Sequence, residues 1–184
     1  MMQDLTAVRF EAARRFRAPS TGRRWGRLAV GAAALAALVA PAALQAQSNR
    51  VRITKLSDVN FGTLGNLGVD AVMAQNICVF SNTTGRRYRV QATGSAPGGA
   101  FALSSGASLL SYEVQWAASS GQSSGTQLTS GVARTGLVSN ATQQACNSGP
   151  ATSASLIVLL RSDSLSSARA GSYSGTLTLV IGAD

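Results

Sequence analysis

The residues of this sequence that could do chemistry are few, and the most distinctive are two cysteines, Cys78 and Cys146. A zinc site or a catalytic thiol would need a histidine or a closely spaced second cysteine, and the chain has no histidine and no CxxC motif. Two isolated cysteines favour pairing with each other in an oxidising compartment. We therefore expect a Cys78–Cys146 disulfide, no metal or other cofactor, and a location outside the cytoplasm.

Acid–base and nucleophilic catalysis also lack their usual partners. A glycosidase needs two acids close together, and a serine nucleophile needs a base. The only lysine, Lys55, lies in a segment that resembles an edge strand. Past residue 46, the acids fall in five separate segments: Asp58, Asp70, Glu113, Asp163 and Asp184. We expect no enzymatic activity.

The net charge of +9 is spread unevenly along the chain. Residues 1–46 carry seven arginines and two acids, so more than half of the excess lies in this first part. The remainder has one tight basic cluster, residues 86–89 (RRYR), which is too small to follow a phosphate backbone. Nucleic acid is not an expected partner.

The first part of the chain has the layout of a secretory signal. Arg23 and Arg24 precede an Ala-rich apolar run at residues 28–44, and the small residue Ala46 follows. Pro41 interrupts the run, which makes a permanent membrane anchor the weaker alternative, and the flanks of the two arginines match a twin-arginine signal poorly. We predict a signal peptide at residues 1–46, a mature domain at residues 47–184, and no transmembrane segment after cleavage.

The elements that must hold the cysteines are predicted to be strands. Short runs with period-two alternation are separated by Gly, Ser and Asn clusters at a spacing typical of a β-sandwich. About seven such runs and no convincing helix predict an all-β, immunoglobulin-like β-sandwich. Trp116 alternates with polar neighbours in one run, and its place in the core is favoured over a sugar-stacking role.

Two runs at opposite ends of the mature chain define the candidate site residues. The closing strand places Tyr173, Leu177, Leu179 and Ile181 on one face and Thr176, Thr178 and Val180 on the other. The first strand, from residue 51 to residue 56, carries its apolar residues at Val51, Ile53 and Leu56.

Three segments together resemble bacterial chaperone-usher pilins, especially their spore coat protein U-like branch. They are residues 59–64 (VNFGTL), residues 77–82 (ICVFSN) followed by Tyr88-Arg89-Val90, and residues 170–181 (AGSYSGTLTLVI). The last is the most specific, because a Gly-x-Tyr-x-Gly entry into an alternating final strand recurs in such fibre subunits.

The resemblance implies an incomplete sandwich that lacks its seventh strand and is completed by a donor strand from another chain. It implies as partners a periplasmic chaperone, an outer-membrane usher and other pilin subunits, and a route through the periplasm to a surface fimbrium or secretion. Tyr173, Leu177, Leu179 and Ile181 would then line the assembly groove, and Val51, Ile53 and Leu56 would form a possible donor strand or the first strand.

The sequence departs from this family in two ways. The spore coat protein U-like branch usually has a cysteine before the NFG motif, whereas here the bridge must join other segments. Cleavage after Ala46 leaves only residues 47–49 before the first strand, which favours a tip or minor subunit over a repeating shaft subunit. The alternatives are a secreted adhesin or carbohydrate-binding sandwich, favoured if Tyr112 or Trp116 is exposed, and a coat protein that forms no fibre.

Overall fold

The computed structural model describes Gln3–Ala12 as a strand, together with residues 49–184. The apolar run and the cleavage point of the predicted signal peptide lie outside the described residues. The strands are β1 (Gln3–Ala12), β2 (Val51–Thr54), β3 (Gly62–Leu64), β4 (Ala71–Ser81), β5 (Arg87–Gly94), β6 (Ala102–Ser105), β7 (Ser108–Ser111), β8 (Glu113–Ala117), β9 (Thr126–Gln127), β10 (Ala133–Val138), β11 (Ala154–Leu160) and β12 (Tyr173–Ala183). Two 3₁₀ turns, Thr84–Arg86 and Pro97–Gly99, and a short helix α1 (Ser162–Ser167) join them.

These strands form two sheets, as the alternating sequence predicts. One sheet has the order β10-β5-β12-β1-β3, with the β6–β7 hairpin attached to β12. The other has the order β2-β4-β11-β8-β9. Among the described pairings, only β1 with β12 is parallel, and the others are antiparallel. The all-β sandwich expected from the sequence is confirmed.

The core between the sheets is built from the alternate apolar residues. Tyr88 and Trp116, one from each sheet, are buried, and their rings meet edge-to-face at 6.4 Å. The Trp116 Nε1–H donates to the Tyr88 hydroxyl at 3.1 Å, so both polar atoms are satisfied inside the core. Burial raises the pKa of Tyr88 to about 12. Trp116 is therefore a core residue, as expected.

The central strand β11 is buried along its whole length. This explains its continuous apolar run, because a strand covered on both faces has no solvent side to mark with polar residues. Ser155 is the one polar residue in the run after Ala154, and its hydroxyl donates to the Ser119 carbonyl at 3.0 Å.

The regular structure differs from the sequence prediction in three places. The described chain has more strands than the seven expected, and β4 begins at Ala71, well before the apolar run at residue 77. Helix α1 was not predicted, because a six-residue helix rich in serine gives no apolar periodicity. The strand predicted at residues 51–56, which is β2, ends at Thr54 and does not reach Leu56, because Lys55 adopts a left-handed conformation with φ of 63°.

The structure contains the predicted disulfide between Cys78 and Cys146, whose Cα atoms are 5.9 Å apart. The bridge ties the loop at residues 139–153 to the outer face of β4, where Ala141 and Phe80 complete a small second core. The Lys55 ammonium holds the same loop by donating to the carbonyls of Cys146 (3.3 Å) and Ala151 (2.7 Å). Lys55 is therefore engaged in loop anchoring.

An arginine clamp joins three elements at the opposite end of the same sheet. Arg161, which follows β11, makes two hydrogen bonds of 2.9 Å to Glu113 and one of 2.9 Å to Asp70. The other oxygen of Asp70 accepts from the Ser162 amide at 2.8 Å, at the start of α1. The clamp therefore fixes where α1 begins.

We predict that the disulfide supplies a large part of the stability of the domain. A bridge that closes a span of 68 positions stabilises by roughly 4 kcal/mol in the chain-entropy model. Cys78→Ala, Cys146→Ala and the double variant should each lower the free energy of unfolding by about this amount, measured by urea denaturation. Reductant should have the same effect on the unmodified protein, and a urea midpoint unchanged by reductant would contradict the prediction.

We predict that the clamp is sensitive to acid. The Ser162 amide and then Arg161 hold the pKa of Asp70 below its ordinary value. A depressed carboxyl pKa favours folding above the pKa of the unfolded chain, about 4, and this contribution is lost as pH falls through the folded value. Asp70→Asn should lower the melting temperature at pH 7, with the difference narrowing below pH ~4. Asp163→Asn, on α1 outside the clamp, is the control. If Asp70→Asn lowered the melting temperature equally at pH 7 and below pH ~4, the prediction of an acid-sensitive clamp would be wrong.

Candidate strand-acceptor site

The last strand, β12, has a different kind of neighbour on each edge. On one edge it pairs with β5 in antiparallel register, from Leu177 opposite Gly94 to Ala183 opposite Tyr88. The other edge, from Tyr173 to Leu179, pairs with β1. Both edges of β12 are therefore hydrogen-bonded, and the strand lies inside the sheet.

The pairing of β1 with β12 is parallel and follows the alternation of the sequence. Val8 lies opposite Gly175, Phe10 opposite Leu177 and Ala12 opposite Leu179, after a register shift between Leu5 and Val8. Thus the apolar positions of β1 share the register of the core-facing positions of β12.

The other edge of β1 pairs with β3, where Gln3 lies opposite Leu64 and Leu5 opposite Gly62 in antiparallel register. We call the position that β1 occupies in the sheet, along the β12 edge and, over Gln3–Leu5, beside β3, the strand-acceptor slot. Its walls are Tyr173–Leu179 of β12 and Gly62–Leu64 of β3.

The occupant of the slot belongs to the segment that the sequence assigns to the signal peptide. Cleavage after Ala46 would remove β1 and leave the edges of β12 and β3 that pair with it without a partner. A row of unpaired amides and carbonyls beside an apolar core is a template for another strand. The mature domain would then need a replacement for β1.

The residues predicted to line the groove lie on the core side of β12. Tyr173, Leu177 and Leu179 are each at most 1% exposed, and Ile181 is half-buried near the end of the strand. On the opposite face Thr176 and Thr178 are half-buried and Val180 is exposed. The Tyr173 hydroxyl donates to the Arg169 carbonyl at 3.0 Å, which anchors the entry to β12.

Gly175 has a steric reason to be glycine. A Cβ at this position would lie 3.1 Å from Leu103 Cδ2 and 3.2 Å from the Ala102 carbonyl oxygen, so the neighbouring hairpin strand β6 would have to give way. The Gly-x-Tyr-x-Gly pattern of the sequence therefore lets β12 pass close to β6 while its other edge faces the slot.

The structure places Val51 and Ile53 on β2, in the sheet opposite the slot, and Leu56 just after that strand. Strand β2 pairs with β4 in the other sheet, from Val51 opposite Ser81 to Thr54 opposite Cys78. All three apolar side chains are partly buried against the main core. The segment is therefore paired within its own domain in the described structure.

The aromatic residues considered for carbohydrate binding are both buried, with Tyr112 at 4% and Trp116 at 1% exposure. Tyr112 stacks on Phe101 with 5.7 Å between ring centroids, and burial raises its pKa to about 12. Neither ring presents a face to a sugar. The part of the chain that the structure describes contains no cluster of three potential metal ligands and no helix long and apolar enough to cross a membrane.

Two parts of the slot were not recognised from the sequence. Strand β3 lies within the VNFGTL motif, but nothing in its three residues marks it as the second wall. The alternation of Val8, Phe10 and Ala12 with Arg9 and Glu11 is a period-two signal for β1, and the leader assignment concealed it.

Comparison with protein-family models, with curated proteins and with solved structures finds no match to this chain. The arguments about function therefore depend on the geometry of the slot and on the residues that form it.

We predict that the two faces of β12 respond differently to charge. Leu179→Asp puts a carboxylate into the apolar core layer and should cost roughly 3–5 kcal/mol, enough to reduce the yield of folded protein severely. Thr178→Asp, one residue away on the outer face, should cost less than about 1 kcal/mol. Periplasmic yield and urea midpoints of the two variants test this, and equal losses would show that the inner face of β12 is not part of the core.

Proposed function

We propose that this protein is a structural subunit of a surface fibre, assembled by a periplasmic chaperone and an outer-membrane usher through donor-strand complementation. The observation that carries the proposal is the strand-acceptor slot, which is filled in the full chain by a strand that the predicted signal cleavage removes. The exported domain is then one strand short of a closed sheet.

The chemistry of the slot suits a strand better than a small ligand. Its walls offer backbone donors and acceptors along β12 and β3, and backbone pairing gives affinity for any extended segment. The apolar layer of Tyr173, Leu177 and Leu179 beside the slot adds selectivity for a segment with apolar residues at alternate positions.

The direction of export argues that β1 does not remain in the slot. In a secretory leader the basic region stays on the cytoplasmic side of the membrane while the following domain crosses. Strand β1 precedes Arg23 and Arg24, so it would be separated from the slot even before cleavage. The slot would open as the domain reaches the periplasm, where a chaperone strand would protect it from aggregation.

The alternative of a carbohydrate-binding sandwich receives no support from the aromatic residues, because Tyr112 and Trp116 are buried. The fibre proposal accounts for the slot itself, and the sugar-binding alternative gives it no role.

We predict that the β12 edge of the exported protein contacts another polypeptide in surface fibres. A photo-crosslinking amino acid at Thr176, which lies opposite Arg9 of β1 in the register, should attach to a neighbouring chain in purified fibres. The same amino acid at Arg134, on β10 at the far edge of the sheet, is the control. Cross-linked segments would be identified by mass spectrometry, and immunogold labelling would locate the subunit. Absence of the protein from surface fibres, or equal capture at both positions, would refute the proposal.

A further inference from the structure

We infer that the mature chain accepts one strand and donates none, so that the occupant of its slot is a different polypeptide and not a second copy of itself. This inference rests on the proposed function, and it defines which partner the slot can take. A second copy could fill the slot only if the mature chain had a free segment long enough to span it.

The segment nearest the mature amino terminus is already used inside the domain. Strand β2 pairs with β4 over its four residues, Val51–Thr54. The pairing extends one residue further, because the Asn82 amide donates to the Arg50 carbonyl at 3.1 Å and the Arg50 amide donates to the Asn82 side chain. The chain is therefore held from Arg50 onward.

Releasing this segment for donation would dismantle several contacts at once. Val51, Ile53 and Leu56 would leave the main core, and β4 would lose its partner over Cys78–Ser81. Lys55, the next residue along, anchors the disulfide loop through two carbonyls. Donation by β2 would thus open the sandwich of the donor.

The residues that precede Arg50 in the predicted mature chain are too few. Residues 47–49 can span only about 10 Å when extended. The occupant that the structure shows, β1, is ten residues long, which corresponds to roughly 33 Å of strand. Three residues cannot cover the walls of the slot, so a second copy cannot replace β1.

The test uses the exported product of the whole chain, with its first residue determined by mass spectrometry. The probe is a synthetic peptide that copies Gln3–Ala12 (QDLTAVRFEA). It is present in excess during purification, and the unbound peptide is then removed. Size-exclusion chromatography with light scattering follows the mass at increasing protein concentration. We expect a monomer that carries one peptide and remains monomeric. A peptide with Phe10→Asp should bind about tenfold more weakly or worse, since a tenfold change needs only 1.4 kcal/mol.

A gain-of-function variant supplies the missing donor. The ten residues QDLTAVRFEA, followed by a short flexible linker, are inserted between Ala46 and Gln47. We expect the inserted strand to fill the slot of a neighbouring copy, which gives denaturant-resistant polymers, or to fill the slot of its own chain, which prevents binding of the free peptide. The same insertion carrying Phe10→Asp should behave as the unmodified protein does.

The outcomes separate the two proposals. If the unmodified product binds the peptide but also polymerises by itself, with cross-links mapping to residues 47–56, the acceptor-only inference is wrong and the proposed function stands. If the unmodified product binds no peptide and the insertion neither polymerises nor closes, the slot is not a strand acceptor and the proposed function fails. A peptide-bound monomer together with a polymerising or self-closed insertion variant supports both.

Discussion

The hydrogen bonding of one edge of β12 is the constraint on which the rest of this structure depends. The strand lies in the middle of its sheet, its core face is buried, and β5 can satisfy only one of its edges. Amides and carbonyls next to an apolar core are costly to leave unpaired, so the other edge must have a partner strand. In the structure β1 is that partner, although the sequence predicts that it belongs to a signal peptide, which cleavage would remove. The same edge of β12 therefore determines whether the sheet is complete and is the basis of the proposed function.

If the exported sandwich waits for a strand, as proposed, it needs a frame that is stable without that strand. The disulfide and Lys55 fix the loop at residues 139–153 against the sheet that contains β2 and β4. At the other end of that sheet, Arg161 joins Glu113 and Asp70 and sets the start of α1. Both devices lie on the sheet opposite the slot. That sheet would thus hold Trp116 and, through its hydrogen bond, Tyr88 of the other sheet in place while the other sheet lacks a strand.

The sequence predicted those parts of the fold that depend on local alternation and on the cysteines. Tyr88, Val90 and Ala92, Trp116, the continuous run of β11 and the bridge from Cys78 to Cys146 are all found as expected. Helix α1 and strand β3 were not predicted, since six and three residues carry too little periodicity. The slot itself could not be derived from the chain, because it is a relation between β12 and β3, which are more than a hundred residues apart in sequence. The alternation of Tyr173, Leu177 and Leu179 indicates a buried face, but it does not reveal which edge lacks a partner.

The position of the disulfide in the chain has a mechanical consequence. Strands β5 to β10 lie between Cys78 and Cys146, whereas both walls of the slot, β3 and β12, lie outside that span. A pulling force applied to the two ends of the mature chain would pass through the bridge and could not extend the 68 positions it encloses. Those positions would otherwise add about 230 Å of contour length. Stretching would therefore extend the segments outside the bridge, which contain both slot walls together with β2 and β11, and would stop at the bridge.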